Sequence, residues 1–349
     1  MEKKRYIAAI IGAGRIGFSL GFDKKREQPA SHTMALLDNK KIHLIAAADT
    51  NSENLERWER YVRRHHSKKE FTLVFPSSEE LYKNVTCIDI ITVAVNEDNH
   101  LEECIKAIEY KPKLVILEKP VALNSEEAQR IKKHAEERGV PVMVNHERRF
   151  AKDYRSAADL IGQIGEIQSV IGELDSGLRI YGEEFEKDGA YSLLHDGTHL
   201  VDIIQFLLRA RLRFPVVSGI FKDEKGMVRN FSAHYSSVES RFGTIPDVTI
   251  KMSGRSKFFE FRIEILGTQG KICVGNGFAE LYLRKESKLY TGFYSLTQQK
   301  FSLPGKTGYF SGMVQNAVDF LDGKSGLVSP LEDALADLEV LEEIKASFQ

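Results

Sequence analysis

The tightest constraint on this chain lies near its start, where Ile10-Ile11-Gly12-Ala13-Gly14-Arg15-Ile16-Gly17 sets a G-x-G-x-x-G loop directly behind a run of apolar, strand-like residues. Glycines at that spacing serve three needs. The first permits a tight turn, the second lets the backbone approach a pyrophosphate, and the third lets helix and strand pack closely. The amides that open the following helix then face the phosphates. Gly12, Gly14, Arg15, Ile16 and Gly17 are therefore candidate dinucleotide contacts.

Such a loop works between a buried strand and a helix, and the pattern that follows agrees with it. Apolar runs at 6–11, 42–48, 72–75, 88–95, 114–118 and 140–145 alternate with amphipathic stretches such as 52–66, 99–109 and 125–138. That alternation predicts a parallel sheet covered by helices on both faces. The second half reads differently: a helix near 154–161, a strand near 167–174, a helix from about 192 to 208, then successive extended segments from 216 to 303 broken by Gly, Asn and Pro. Helices near 309–321 and 330–347 close the chain. The expected class is α/β: an N-terminal Rossmann doubly wound parallel sheet in residues 1–146, then a C-terminal α/β domain with a large, mainly antiparallel open sheet in 147–349. A chain of 349 residues, 42% hydrophobic, is long enough to bury both cores.

Charge narrows the partners. Lys and Arg number 49 against 50 Asp and Glu, which gives no basis for nucleic acid or an anionic membrane and favours a small molecule. The opening apolar run of about seven residues is too short for a signal core or a membrane span, so a cytoplasmic protein is expected. Cys87, Cys104 and Cys273 lack C-x-x-C spacing and read as buried, inert thiols.

Strand two ends in Ala46-Ala47-Ala48-Asp49. Asp49 is placed to accept both ribose hydroxyls and would repel a 2'-phosphate, while Thr50 and Asn51 offer no cation; NAD is expected over NADP. Asp49 lies well beyond the roughly twenty residues that usually separate loop and acid. An insertion over 22–33, carrying Pro29, explains this by breaking the first helix and letting another start near Ser31. His32 then has two readings, one turned toward the cleft and one a capping residue on a surface loop.

Two further strand ends carry polar residues. Strand four runs into Asn96-Glu97-Asp98-Asn99-His100, where Asn96 and His100 are candidates for the nicotinamide side and Asn99 or Asp98 for capping a helix. Strand five ends in Glu118-Lys119-Pro120, where Glu118 is a candidate cofactor contact, packing gives no reason for a lysine and proline restricts the exit of the chain. Farther on, His195-Asp196-Gly197-Thr198-His199 leads to Asp202. On a helix His195, His199 and Asp202 form one polar stripe at i, i+4 and i+7, while Leu200, Ile203, Ile204 and Leu207 turn to a core. Oxidising an alcohol by hydride transfer needs a base for the hydroxyl proton, which a neutral histidine supplies, and Lys119 would stabilise the developing alkoxide. The same two histidines have the spacing of H-E-x-x-H, but Asp stands for the Glu, Gly lies between, and no third ligand is evident, so no metal is expected. Satisfied structural histidines are the other reading.

Gly12 to Gly17, Asn96 with His100, Glu118-Lys119-Pro120, Asn145 to Phe150, His199 with Asp202, and the last helix after Ser329-Pro330 together resemble the Gfo/Idh/MocA family of glucose-fructose oxidoreductase and inositol dehydrogenase. The resemblance implies a Rossmann domain followed by an open-sheet domain that mediates oligomerisation, here as a homodimer or homotetramer. It also implies sugar or polyol substrates, Lys119 acting on the substrate oxygen, and His199 as acid/base. One position departs: many members carry Asp four residues before that histidine, where this chain has His195 and places Asp196 one residue later. Either His195 faces the substrate, the preferred reading, or Asp196 turns in. Arg148 and Arg149 are candidates for an acidic or phosphorylated substrate group, or for salt bridges within the fold. The expected function is an NAD(P)-dependent oxidoreductase interconverting a hydroxyl and a ketone on a sugar, polyol or sugar derivative. The alternatives are an NAD-dependent glycoside hydrolase using transient oxidation and a non-enzymatic dinucleotide-binding regulator.

Overall fold

A computed structural model describes residues 5–65, 71–177, 193–303 and 305–348. The chain forms two compact units, one of residues 1–150 with 308–335 and one of 151–307 with 336–349.

In the first unit β1 (Tyr6–Ile11), β2 (Ile42–Ala48), β3 (Leu73–Phe75), β4 (Ile90–Val93), β5 (Leu114–Leu117) and β6 (Val142–Val144) make a six-stranded sheet in the order β3-β2-β1-β4-β5-β6. Every pair is parallel. Strand order reverses between β1 and β4, the switch point where such sheets bind ligands beyond the carboxyl ends of their strands. All of β4 and β5 is buried, as strands covered on both faces must be. Among the helices, α2 (Ser52–His65) turns Leu55, Trp58 and Val62 inward at i, i+3 and i+7. A short helix, α3 (Ser78–Asn84), was not anticipated; it is capped by Ser77, whose side chain accepts the Glu80 amide. α4 (His100–Glu109) and α5 (Ser125–Arg138) follow their strands, and α5 is bounded by Asn124 at its start and left-handed Gly139 at its end.

The first helix of this unit is interrupted. One turn forms after the glycine loop, with Phe18 N bonded to Gly14 O at 3.0 Å and Leu20 N to Arg15 O at 2.7 Å. The chain then leaves through a 3-10 turn, Ser19–Phe22, and returns at α1 (His32–Asp38), where the Ser31 side chain caps by accepting the Met34 amide. His32 N bonds to Ile16 O at 3.2 Å and Thr33 N to Gly17 O at 2.9 Å. α1 thus resumes the ladder the first turn left open, with residues 20–31 looped out between. The Thr33 hydroxyl donates to Gly17 O at 2.7 Å and accepts from Trp58 Nε1 at 2.9 Å, tying the restart to α2.

The division expected after residue 146 differs from the observed one, because the chain stays with the first unit through Phe150 and rejoins it over 308–335. The cause is apolar burial. Helix Tyr309–Leu321 adds Phe310, Met313, Val314, Ala317 and Val318 to the cluster that holds Ala8, Ile10, Ala35 and Leu36. Val144 N also bonds to Ser329 O at 3.0 Å, extending pairing past the β6 edge. Helical periodicity shows that a face is buried but not against which partner.

The second unit is built on eight strands: β7 (Ile167–Gly177), β8 (Val216–Lys222), β9 (Val228–Ser240), β10 (Gly243–Ser253), β11 (Arg255–Gly267), β12 (Gly270–Gly275), β13 (Phe278–Glu286) and β14 (Tyr294–Gln299). Their order is β14-β13-β12-β11-β7-β10-β9-β8, with β7 and β10 parallel and the other pairs antiparallel. Val170, Ala233, Val248, Ile250 and Ile263 are buried, and α6 (Lys152–Leu160) belongs to this unit. Helix Thr198–Leu208 lies so close on β7 that a Cβ at Gly172 would come 2.4 Å from Ile204 Cδ1. Among the described residues, no helix is long and apolar enough to cross a membrane. Of the thiols, Cys104 and Cys273 are buried as expected, whereas Cys87 is exposed.

Candidate functional site

The glycine loop separates packing from ligand space. Gly12 has φ +94°, and a Cβ there would come 2.5 Å from Ala94 O; a Cβ at Gly17 would come 2.0 Å from Gly12 O. Both are required by the close approach of loop, turn and the β4 exit. Gly14 is different, because the nearest atom to an added Cβ is Asn54 Nδ2 at 3.9 Å. No protein group needs that position bare. A pyrophosphate lying on the loop does, so the residues present fit a dinucleotide. Arg15 is exposed and Ile16 half-buried beside it.

Asp49 follows β2 directly and is half-buried. Its Oδ2 accepts the Ala13 amide at 2.8 Å and Asn54 Nδ2 at 3.3 Å, and its Oδ1 accepts the Asn51 amide at 2.8 Å. An ionised carboxylate offers about four lone-pair sites, so about one remains for a ligand rather than the two needed for both ribose hydroxyls. Asp49 also holds the glycine loop itself, a role its sequence position did not show.

The residue after β5 is enclosed. Glu118 is 4% exposed; its Oε1 lies 2.5 Å from His32 Nε2 and 2.6 Å from Asn145 Nδ2, and its Oε2 accepts the Lys119 amide at 3.2 Å. Burial by itself would raise this carboxyl's pKa. The His32 and Asn145 hydrogen bonds and the nearby positive charges of His32 and Lys119 outweigh it and hold Glu118 below the ordinary carboxylate range. Glu118 therefore faces inward to protein donors, where the expectation had it contacting the cofactor. The surface-loop reading of His32 is likewise overturned: the ring is 1% exposed, and Ser31 is the cap. Lys119 is half-buried between the buried residues Glu118 and Pro120, and the Lys119–Pro120 peptide is cis.

At the β4 exit Asn96 is exposed and its side chain makes no capping bond, nor does that of Asn99, which donates to Asp98 Oδ1 at 2.9 Å. Asn96 is thus left facing solvent at the strand end, as a ligand-contacting residue must be. His100 is buried, with Nδ1 2.7 Å from Pro120 O and Nε2 3.2 Å from Val95 O. Desolvation lowers its pKa against those carbonyls and keeps the ring neutral, so it donates to one of them, the closer Pro120 O. His100 ties the start of α4 to the β5 exit through that bond and is buried rather than open to a cofactor, which corrects its expected role.

Beyond β6, Asn145 and His146 are buried. Arg149 is 1% exposed, with Nη1 3.0 Å from Val328 O and 2.5 Å from Asp333 Oδ2. Its charge is used within the fold, which corrects its expected place among substrate contacts. Arg148, half-buried, pairs with Glu147 at 3.1 Å.

In the second unit the expected stripe is only partly a uniform helix. Leu193–Gly197 forms a π turn, and α-helix begins at Thr198. His199 and Asp202 keep their i, i+3 relation, while His195 and Asp196 precede the change of register, so the single i, i+4, i+7 stripe does not hold. His195, Asp196 and His199 are half-buried and Asp202 is 1% exposed. Leu200, Ile203, Ile204 and Leu207 are buried as predicted, but so are Val201, Gln205, Phe206 and Leu208, a helix enclosed on all sides. Gln205 is held there by Asp337 Oδ1 at 2.7 Å and the Leu212 amide at 2.9 Å. Residues 189–192, which lead into this turn, lie outside the described residues.

Sequence reasoning missed the grip of His32 and Asn145 on Glu118. The available signal was a histidine one residue past a helix cap inside an insertion, which carries no partner information.

Known proteins match this architecture. Residues 7–146 match the model of the Gfo/Idh/MocA oxidoreductase family, NAD-binding Rossmann fold. Over 140 residues, 37% of this chain and 38% of the relative, the sequence is 29% identical to scyllo-inositol 2-dehydrogenase (NADP(+)) of Bacillus subtilis (strain 168). In fold the chain is similar to an Agrobacterium radiobacter oxidoreductase solved with NAD+, L-tartaric acid and magnesium, at a TM-score of 0.75 and 18% identity, covering 99% of this chain and 98% of that one. It is also similar to a UDP-N-acetylglucosamine 3-dehydrogenase from Acidithiobacillus ferrooxidans, at a TM-score of 0.77 and 14% identity, covering 98% and 97%. The family match thus covers residues 7–146, the part of the chain that carries the glycine loop, the parallel strand order and the strand-end residues of an NAD-binding Rossmann fold.

Proposed function

We propose that this protein is an NAD(P)-dependent dehydrogenase or reductase that interconverts a hydroxyl and a ketone on a sugar, polyol or sugar derivative. The observation that supports it most is Lys119, a half-buried lysine at the carboxyl end of β5, beside a carboxylate fixed by three donors. A bound nicotinamide would supply the hydride acceptor for oxidation at the carbinol carbon and the hydride donor for reduction. Lys119 donates a hydrogen bond to the substrate oxygen and stabilises alkoxide character. His199 takes the hydroxyl proton as the carbonyl forms, and His195 or Asp196 contacts the substrate, with Arg148 as a further candidate. These last assignments rest on the family resemblance.

NAD is the proposed cofactor, on the charge of Asp49 at the end of β2, although the Bacillus relative is named for NADP(+). A homodimer or homotetramer in the cytoplasm is proposed with it. Phe258 and Phe259 at 60% and 61% exposure on β11, and Tyr294 at 58% on β14, are aromatic surface that a second copy would cover.

The test is a panel of free, acidic, phosphorylated and nucleotide-linked sugars and of inositols, assayed for NADH and NADPH formation. Stoichiometric accumulation of reduced cofactor is expected, and its absence across the panel rejects the reading. Lys119→Ala should lower kcat about 100- to 1000-fold while NAD affinity stays nearly constant. A large loss of NAD affinity would instead put Lys119 in the cofactor site.

A further inference from the structure

The looped-out segment between the two parts of the first helix delivers a histidine to the β5 exit, and the chemistry of that contact goes beyond packing. His32 opens α1, a helix of seven residues, and is buried. A short helix has no need of an imidazole there. Its Nε2 is spent on Glu118, its ring meets Phe310 edge-on with centroids 5.3 Å apart, and its Nδ1 has no hydrogen-bond partner. An apolar side chain would pack on Phe310 without leaving a buried nitrogen unsatisfied, which carries a free-energy cost. What an apolar side chain cannot supply is the donor to Glu118. An ionised Glu118 needs the proton on Nε2, which the ring nitrogen supplies at that place.

Glu118 is held at both oxygens. His32 and Asn145 take Oε1, and the Lys119 amide takes Oε2. Rotation of the carboxylate would break bonds to three elements at once: α1, the β6 exit and the backbone of Lys119. The amides of His32 and Thr33 are meanwhile bonded to Ile16 and Gly17 of the glycine loop. One short helix therefore links the loop proposed to hold the cofactor to the strand end that presents the lysine.

We propose that His32 is a positioning residue for the reaction: through its hydrogen bond it fixes the Glu118 carboxylate, and through Glu118 the placement of Lys119. This rests on the reading of Lys119 given under Proposed function. It makes the insertion over 22–33 part of the active-site support.

The test compares His32→Leu, which fills the space but cannot donate, with His32→Gln, whose amide can. With NAD and the panel compound giving the highest turnover, His32→Leu should lower kcat about ten- to hundredfold, the worth of a hydrogen bond to a charged group, with little change in the Kd of NAD. His32→Gln should restore most of it. A purely structural role would instead make both variants equally slow, or lower melting temperature without changing kcat; either result overturns the inference. Crystal structures of both variants need no substrate. His32→Leu should show the Glu118 carboxylate rotated and Lys119 displaced, and His32→Gln should show neither. An unmoved Glu118 and Lys119 in His32→Leu overturns the inference whatever the turnover. Full activity in Lys119→Ala would reject the parent reading separately, because the crystallographic result does not depend on it.

Discussion

Two carboxylates stand immediately beyond strands of one parallel sheet, Asp49 after β2 and Glu118 after β5, and sequence pattern treats them alike as cofactor ligands. Their surroundings differ. Asp49 is half-buried and is bonded to residues close in sequence or to the glycine loop, with lone-pair capacity left over. Glu118 is enclosed by side chains from an insertion 86 positions earlier and a strand exit 27 positions later. A strand end fixes where a carboxylate sits, but its donors decide whether it faces a ligand or organises the protein around one.

The sharpest way to break this contrast is to delete each carboxylate. Glu118→Ala should destabilise the first unit by about 3 kcal/mol or more, because it strands two buried donors, and Asp49→Ala by about 1 kcal/mol or less. Denaturation followed by Trp58 fluorescence measures both, and equal losses would erase the distinction. The adjacent arginines carry the same contrast at smaller scale. Arg149→Met should cost about 2 kcal/mol by removing the buried charge-assisted bonds to Asp333 and Val328 O, whereas Arg148→Met should leave stability within about 0.5 kcal/mol and act on substrate affinity instead. Asp49→Asn should raise the Kd of NAD about tenfold, the weight of one charge-assisted contact, and narrow any preference over NADP. Unchanged NAD binding in a titration would reject the ribose role.

The smallest effect is one of pH. Since the folded protein holds Glu118 below its ordinary value of about 4.5, that group adds stability above this pH and the contribution is lost as pH falls through the lower folded value. Melting temperatures between pH 3 and 6 should therefore fall less steeply in Glu118→Gln than in the parent. Parallel curves would mean that the carboxylate is not held in its charged form by His32 and Asn145.

Much of the first unit was legible because its signals are local. The glycine loop, the Ile/Val runs and the cap residues of α5 each announce themselves within a few positions, and the break in the first helix follows from Pro29 and the distance to Asp49. The errors cluster where a side chain's partner is distant. His100 reads as a ligand until burial encloses its ring and Pro120 O takes its donor; Arg149 reads as an anion hook until Asp333 meets it; the His195–Asp202 stripe reads as α-helical until a π turn shifts its start.

By itself the sequence determined the fold class, the glycine loop and the strand ends that follow it, since backbone conformation and apolar periodicity are written in neighbouring residues. Only the tertiary structure decided that helix Tyr309–Leu321 returns to the first core, that Gly14 alone of the three loop glycines is free of packing demands, and that His32 reaches Glu118. Those outcomes depend on which groups are buried together. Burial makes a polar group's partner decisive, and the partner can come from anywhere in the chain.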